Sequence, residues 1–402
     1  MGEAEPKLDT PKAPIRPSAP PLSSGRVIGG KFELCGVLGE GGTGIVYEAK
    51  PIPREGEEGE GERVALKVIH SHLLYDKQIR GRFTREAKIL ARLSGPHLGA
   101  ILDFGEVPDP RGEGASLLYI ALPKIDGPPL DQLLREQGPL PLERALDIAL
   151  QVCSALASAH AQGVIHRDLK PGNVILKNGG EVFVVDFGMA KILTAGGTGT
   201  TGLTAHNMVF GTPEYMAPEQ ARGDELDARC DIYAVGVMLY ELLTGSVPFT
   251  GNTPLNVLTA QLTQAPDKPR ERAPDRSITP ALEAVVMHAM AKDPRDRYAT
   301  AASLALAITA ARAAPDDADA VKPARVAANA GGPVARVHSD DMVHAPTIPA
   351  PEPSNERAER NARTGSITLP PAKEPSRALW LAVWALVILG AIGVGVFLAL
   401  RS

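Results

Sequence analysis

The chain has 402 residues and a formal net charge of −5, which gives no basis for nucleic-acid binding. Its three cysteines, Cys35, Cys153 and Cys230, form no pairwise motif, so neither a disulfide frame nor a His/Cys metal site is read and reduced thiols are expected. Residues 1–25 are rich in Pro, Lys and Ser with no apolar run, which excludes a secretory signal there; Pro6 stands where a myristoylated Gly2 would want Ser or Thr.

Residues 1–31 read as a disordered Pro-rich tail. Two strand-like runs follow, residues 32–38 and 45–49, around Gly39-Glu40-Gly41-Gly42-Thr43-Gly44. With 40 glycines in the chain, the pattern G-x-G-x-x-G arises by chance, and it occurs twice. The second match, Gly197, Gly199 and Gly202, lies in a Gly/Thr stretch without flanking strands and reads as a flexible loop. The first is a hairpin whose small residues let backbone N–H groups approach a phosphate. A dinucleotide-binding reading fails, because a strand and not a helix follows.

Residues 64–69 alternate as a strand carrying Lys67, and Glu86 sits in a helical stretch, residues 83–93. Residues 143–162 read as an amphipathic helix with Leu146, Leu150, Cys153, Ala157 and His160 on one face and Gly163 as its C-cap. His160 is read as a packed or exposed helix histidine. Next comes His166-Arg167-Asp168-Leu169-Lys170-Pro171-Gly172-Asn173, and thirteen residues after Asn173, Asp186-Phe187-Gly188. These polar residues suit phosphoryl transfer: Asp168 to accept a proton from an attacking hydroxyl, Lys170 to neutralise charge, Asn173 and Asp186 to hold a metal ion. Residues 232–243 are apolar but short and contain Glu241, so they read as a buried helix and not a membrane span.

The run 166–188 resembles the catalytic core of the eukaryotic-type (Hanks-type) serine/threonine protein kinases, and the likeness extends over residues 32–312. It implies an α+β fold of two lobes, a small β-rich one and a larger helical one. It implies ATP held by Leu38, Gly39, Glu40, Gly41, Gly42, Thr43, Gly44, Val46 and Lys67, with Glu86 pairing Lys67. Adenine would be read by the Pro123 carbonyl and the Ile125 N–H, with Leu122 behind them. Many relatives carry Glu where this chain has Pro123; proline loses its N–H but keeps its carbonyl. Asp168 becomes the base, Lys170 the charge stabiliser, and Asn173 and Asp186 the ligands of Mg²⁺, with Mn²⁺ as the alternative.

The same resemblance gives Asp231 a bracing role under the catalytic loop and pairs Arg297 with Glu219 of Ala217-Pro218-Glu219. Lys170 with Thr212 resembles the serine/threonine branch, with protein substrates. Arg167 before Asp168 implies a loop ordered by phosphorylation, with Thr204 favoured and Thr201 second. A catalytically inactive pseudokinase scaffold is the rival reading, but it would be expected to lack Lys67, Asp168 or Asp186, and all three are present. A small-molecule kinase is disfavoured by residues 211–219, which resemble a platform for protein substrates.

Beyond residue 312 the composition turns to Ala, Pro, Asp and Arg, and residues 313–377 read as a disordered linker. Residues 378–400 form an uncharged stretch of 23 residues bounded by Arg377 and Arg401. As a helix it is about 34 Å long, enough to cross a bilayer core of about 30 Å. A single-pass cell-membrane (inner-membrane) protein is expected, bacterial in style, in contact with membrane lipid. Use of ATP puts the kinase domain in the cytoplasm and residues 401–402 outside. Ala391 and Gly395 make a small-xxx-small pair that hints at a homodimer, which would suit phosphorylation in trans.

Overall fold

The computed structural model describes residues 21–53, 61–70, 77–110, 116–188 and 212–322. They form an α+β fold of two lobes within one compact unit. The first lobe is an antiparallel sheet in the order β1-β2-β3-β4-β6-β5. Its strands are β1 (Val27–Ile28), β2 (Phe32–Gly41), β3 (Gly44–Pro51), β4 (Val64–Ile69), β5 (Asp103–Pro108) and β6 (Ser116–Pro123), joined by helix α1 (Lys77–Leu90).

Alternation along β6 explains why every residue from Leu117 to Leu122 is buried. Leu118, Ile120 and Leu122 face the core shared with Phe83, Ala87 and Leu90 of α1. Leu117, Tyr119 and Ala121 face a second core with Phe32, Leu34, Tyr47 and Leu66. A period of two buries both faces when each has its own partner. The same period puts Lys67 opposite Val46 of β3 and Ile120 of β6.

The glycine run is the β2–β3 turn. Gly41 pairs with Gly44, and only Gly42 and Thr43 connect the strands. A Cβ on Gly39, Gly41 or Gly42 would meet nothing within 4 Å, whereas one on Gly44 would lie 2.2 Å from the Val68 carbonyl oxygen. Gly44 is therefore required by the close approach of β4, and the other three leave open room above the turn.

The second lobe is helical: α2 (Leu130–Gln137), α3 (Leu142–Ala161), α4 (Pro218–Arg222), α5 (Arg229–Thr244), α6 (Pro254–Thr263), α7 (Pro269–Arg272), α8 (Pro280–Ala289) and α9 (Ala301–Ala313), with a two-stranded ribbon of β7 (Val174–Leu176) and β8 (Val182–Val184). α3 ends as expected, with Gly163 at φ +74° and its N–H donating to the His160 carbonyl. α5 is buried on nearly every side. Gly236 makes this possible, since a Cβ there would lie 2.8 Å from Ala289 Cβ of α8. Among the described residues no helix is long and apolar enough to cross a membrane. The stretch 378–400 and most of the expected linker lie outside them.

The packed unit is wider than residues 32–312. Upstream, Leu22 and Ile28 are buried, the Leu22 N–H donates to the Tyr47 hydroxyl at 2.8 Å, and β1 pairs with β2. Residues 21–31 are thus part of the sheet and not of a disordered tail; a two-residue strand is too short to show a period. Downstream, Val321 is buried, the Tyr298 hydroxyl donates to its carbonyl at 2.6 Å, and the Ala281 N–H donates to the Pro315 carbonyl. Residues 313–322 accordingly belong to the domain and not to the linker.

Candidate active site

Asp231, in the first turn of α5, organises the site from below. One carboxylate oxygen accepts the His166 N–H at 2.8 Å and the other the Arg167 N–H at 2.9 Å. His160 of α3 donates from Nε2 to the same carboxylate at 2.8 Å. Burial alone would raise the Asp231 pKa, but the hydrogen bonds it accepts, that of His160 foremost, hold it below the ordinary value. His160, expected only to pack or to face solvent, is thus one arm of this bracket. Its helical period gives its face but not its partner, which lies 71 positions on.

The loop above Asp231 carries strain that its partners over-determine. Arg167 and Asp186 have φ of +68° and +63°, left-handed values that cost a non-glycine residue about 1–3 kcal/mol. The Arg167 carbonyl accepts from Gln220 Nε2 at 2.8 Å. His166 is fully buried, packs against Phe187 with ring centroids 4.7 Å apart and planes tilted by 53°, and bonds the Val185 carbonyl through Nε2 at 2.9 Å. The Asp168 N–H donates to its Nδ1, so the hydrogen bonds assign the proton to Nε2.

These constraints bring the polar residues of the motif together. Lys170 Nζ lies 3.2 Å from Asp168 Oδ2 and donates to Thr212 Oγ1 at 2.9 Å. Asn173 Nδ2 donates to the Asp168 carbonyl at 2.7 Å, which leaves its Oδ1 as an acceptor. Lys67, almost buried, pairs with Asp186 Oδ2 at 2.5 Å. Here the structure differs from expectation: the Lys67 ion pair is with Asp186 and not with Glu86. The α1 face that carries Glu86 lines a separate small cavity with Leu90, Val164, Ile165, Arg167 and Gly188.

The remaining sequence-derived residues fall around this centre. Leu38 through Gly44 form the end of β2 and the turn, and Val46 sits beside Lys67. Pro123 ends β6 opposite Val64, with Lys124 tied to Asp126 at 2.7 Å just before Ile125 and Gly127. Leu122 lines one small cavity with Asp186 and Phe187. Thr201 and Thr204 lie outside the described residues.

Below the site, Arg297 and Glu219 form the expected pair, fully buried and doubly bonded at 2.6 and 2.8 Å. Arg297 also donates to the carbonyls of Ala291, Arg229 and Lys292, so its guanidinium leaves little unsatisfied. The Tyr215 hydroxyl donates to Glu241 at 2.5 Å. Burial holds the Glu241 carboxyl above its ordinary value even against that bond. Neither this contact nor that of Gln220 has a sequence signal.

Among the described residues no group of three or more His, Cys, Asp or Glu is placed to hold a metal. The chemistry of Asn173 Oδ1 and the Asp186 carboxylate still fits a hard divalent cation, since Mg²⁺ is commonly held by one or two protein oxygens together with substrate phosphates. Open space above Gly39, Gly41 and Gly42 likewise fits a polyphosphate.

A β-rich lobe ending in a glycine turn, over a helical lobe carrying a braced Asp-x-Lys loop, defines a phosphoryl-transfer fold. The protein kinase domain family matches residues 32–307. The chain belongs to the protein kinase family. It is 43% identical over 281 residues to the serine/threonine-protein kinase pkn3 of Myxococcus xanthus, covering 69% of this chain and 49% of that protein. It is 39% identical over 274 residues to the serine/threonine-protein kinase PknB of Mycolicibacterium smegmatis, covering 68% of this chain and 42% of that one. PknB of Mycobacterium tuberculosis shares 38% over 274 residues, with the same coverage. The chain thus spans about half the length of the curated relatives it matches.

Proposed function

We propose that the protein is a serine/threonine protein kinase that transfers the γ-phosphate of ATP to protein hydroxyls. The observation that carries this reading is the bridge from Asp168 through Lys170 to Thr212, which joins the base to the segment that would present the acceptor. Its relatives are named for the same activity. The pseudokinase scaffold finds no support, since Lys67, Asp168, Asn173 and Asp186 are all present and gathered.

In this mechanism Asp168 orients the acceptor hydroxyl and takes its proton, an effect worth about 10²–10⁴ in rate. Lys170 shields the charge between acceptor and phosphoryl group. Lys67 and the Gly39–Gly44 turn hold the triphosphate, and Leu38, Val46, Pro123 and Ile125 hold the base. Glu86 would be the partner of Lys67 were Asp186 to hold a cation. Asn173 and Asp186 would hold Mg²⁺, or Mn²⁺ in its place, and the ion when bound neutralises phosphate charge.

Thr204, with Thr201 second, is the proposed autophosphorylation site, its phosphate pairing with Arg167; a homodimer would supply the reaction in trans. Residues 378–400 are the proposed single-pass anchor in the cell membrane, with the kinase domain cytoplasmic and the C-terminus outside. The test is to incubate the full chain with Mg²⁺ and ATP and map phosphate by mass spectrometry beside Asp168→Asn. Phosphate on Thr204 or Thr201, absent from the variant, supports enzyme and loop together. No phosphate on a folded protein that binds nucleotide sinks the activity.

A further inference from the structure

One fully buried polar side chain has no part in the chemistry above. Gln261 of α6 is 0% exposed, and a buried amide needs partners for its donors and its acceptor. It has them. Nε2 donates to the Glu214 carbonyl at 2.6 Å and the Pro213 carbonyl at 3.3 Å, and Oε1 accepts from the Tyr233 hydroxyl. The Gln261 backbone carbonyl accepts from Lys292 Nζ at 2.7 Å, and Lys292 is itself seated 4.2 Å over the Phe249 ring.

The two carbonyls held by Gln261 belong to the short turn Pro213–Tyr215, which starts directly after Thr212. The Tyr215 N–H closes that turn on the Thr212 carbonyl at 3.2 Å, and Thr212 Oγ1 is the acceptor for Lys170. A continuous path of hydrogen bonds thus leads from α6 through Gln261 and the turn to Lys170 and Asp168. On its open side the turn lines a cavity of about 580 Å³ with Asp131, Arg135, Lys170 and Glu241, roomy enough for a side chain of an acceptor.

We propose that Gln261 is a positioning residue for the transfer: it fixes the height of the Pro213–Tyr215 turn, and through it both the acceptor cavity and the Thr212 bond to Lys170. The proposal rests on reading the site as a protein kinase. An apolar side chain of equal size would fill the space but leave two buried carbonyls unpaired, and the turn would shift to find new donors.

The test uses the full chain, myelin basic protein as the acceptor, and a fluorescent ATP analogue for nucleotide affinity. Gln261→Met keeps the volume and removes donor and acceptor together. It should raise the acceptor KM and lower kcat/KM about tenfold, while the nucleotide Kd stays at the wild-type value. A wild-type acceptor KM, or a loss of kcat alone that tracks the folded fraction, overturns the proposal. Should Gln261→Met fail to fold, Tyr233→Phe decides, because it keeps the Gln261 amide donors and removes only the hydroxyl bonded to Oε1 and, at 3.4 Å, to Lys292 Nζ: a raised acceptor KM supports the positioning role and an unchanged one overturns it. A silent wild type sinks the kinase reading and this proposal with it, whereas an active wild type with an unaltered Gln261→Met sinks the proposal alone.

Discussion

Lys67 and Asp186 meet across the cleft at 2.5 Å, one side chain 7% and the other 22% exposed. A lysine from the sheet is thereby held by a carboxylate expected to bind a cation, while Glu86 of α1 lines a small cavity with Arg167 and Gly188. Pairing of Lys67 with Glu86, as proposed above, would require a second state of the cleft. Glu86→Gln should therefore lower kcat by about tenfold or more while leaving the Lys67–Asp186 ion pair in place. A wild-type kcat would show that Glu86 has no part in the transfer.

Lys67→Met should abolish phosphorylation while the chain remains folded. Asp186 keeps some solvent access, so losing its partner should cost about 1–2 kcal/mol and not the larger penalty of a sealed pair. Autophosphorylation and thermal unfolding on the same sample separate the two effects; retained activity in both this variant and Asp168→Asn contradicts the proposed roles.

Thr212→Val removes one of two partners of Lys170 and leaves the Asp168 contact. We expect kcat to fall about tenfold, with the ATP KM unchanged, since Thr212 acts on the acceptor side. Steady-state kinetics with ATP and acceptor varied in turn would reveal any nucleotide effect.

Asp231 sets an acid limit on the fold. Its folded pKa lies below the ordinary 3.8, so the folded state binds fewer protons than the unfolded chain in the window below 3.8. Stability from this group is complete above 3.8 and is lost as pH falls through the lowered folded value. His160→Phe removes one of the bonds that lower it, which should move the acid-unfolding midpoint to higher pH. A midpoint that stays fixed would mean that His160 contributes nothing to the bracket.

The C-terminal rim should matter more than its composition suggests. Removing residues 313–322 exposes the pocket of Val321, which is 2% exposed, and deletes the acceptor of the Tyr298 hydroxyl. Burying a valine contributes about 1.5–3 kcal/mol, so a fragment ending at 312 should unfold several degrees below one ending at 322. Equal melting temperatures would return residues 313–322 to the linker.

Much of the candidate site is legible in the amino-acid sequence, because the residues assigned to phosphoryl transfer are clustered along the chain. Asp168, Lys170, Asn173 and Asp186 lie within one short run, and their chemistry restricts which side chains can stand there. The helix 143–162 and the strands about the glycine turn are legible for a different reason: each buries one face, and burial leaves a period. Gly44 is found with its neighbours, yet its reason differs, since only the packing of β3 on Val68 shows what a Cβ would strike.

By itself, then, the sequence determined the family of the chain, the residues proposed to react and the elements that carry them. The tertiary structure alone decided several pairings between distant residues. Lys67 takes Asp186, His160 takes Asp231, and Gln261 takes the carbonyls after Thr212. No local pattern records these choices. A buried polar group accepts whichever complementary partner the packing of helices and sheet brings within hydrogen-bond reach, and that distance is a property of the assembled core.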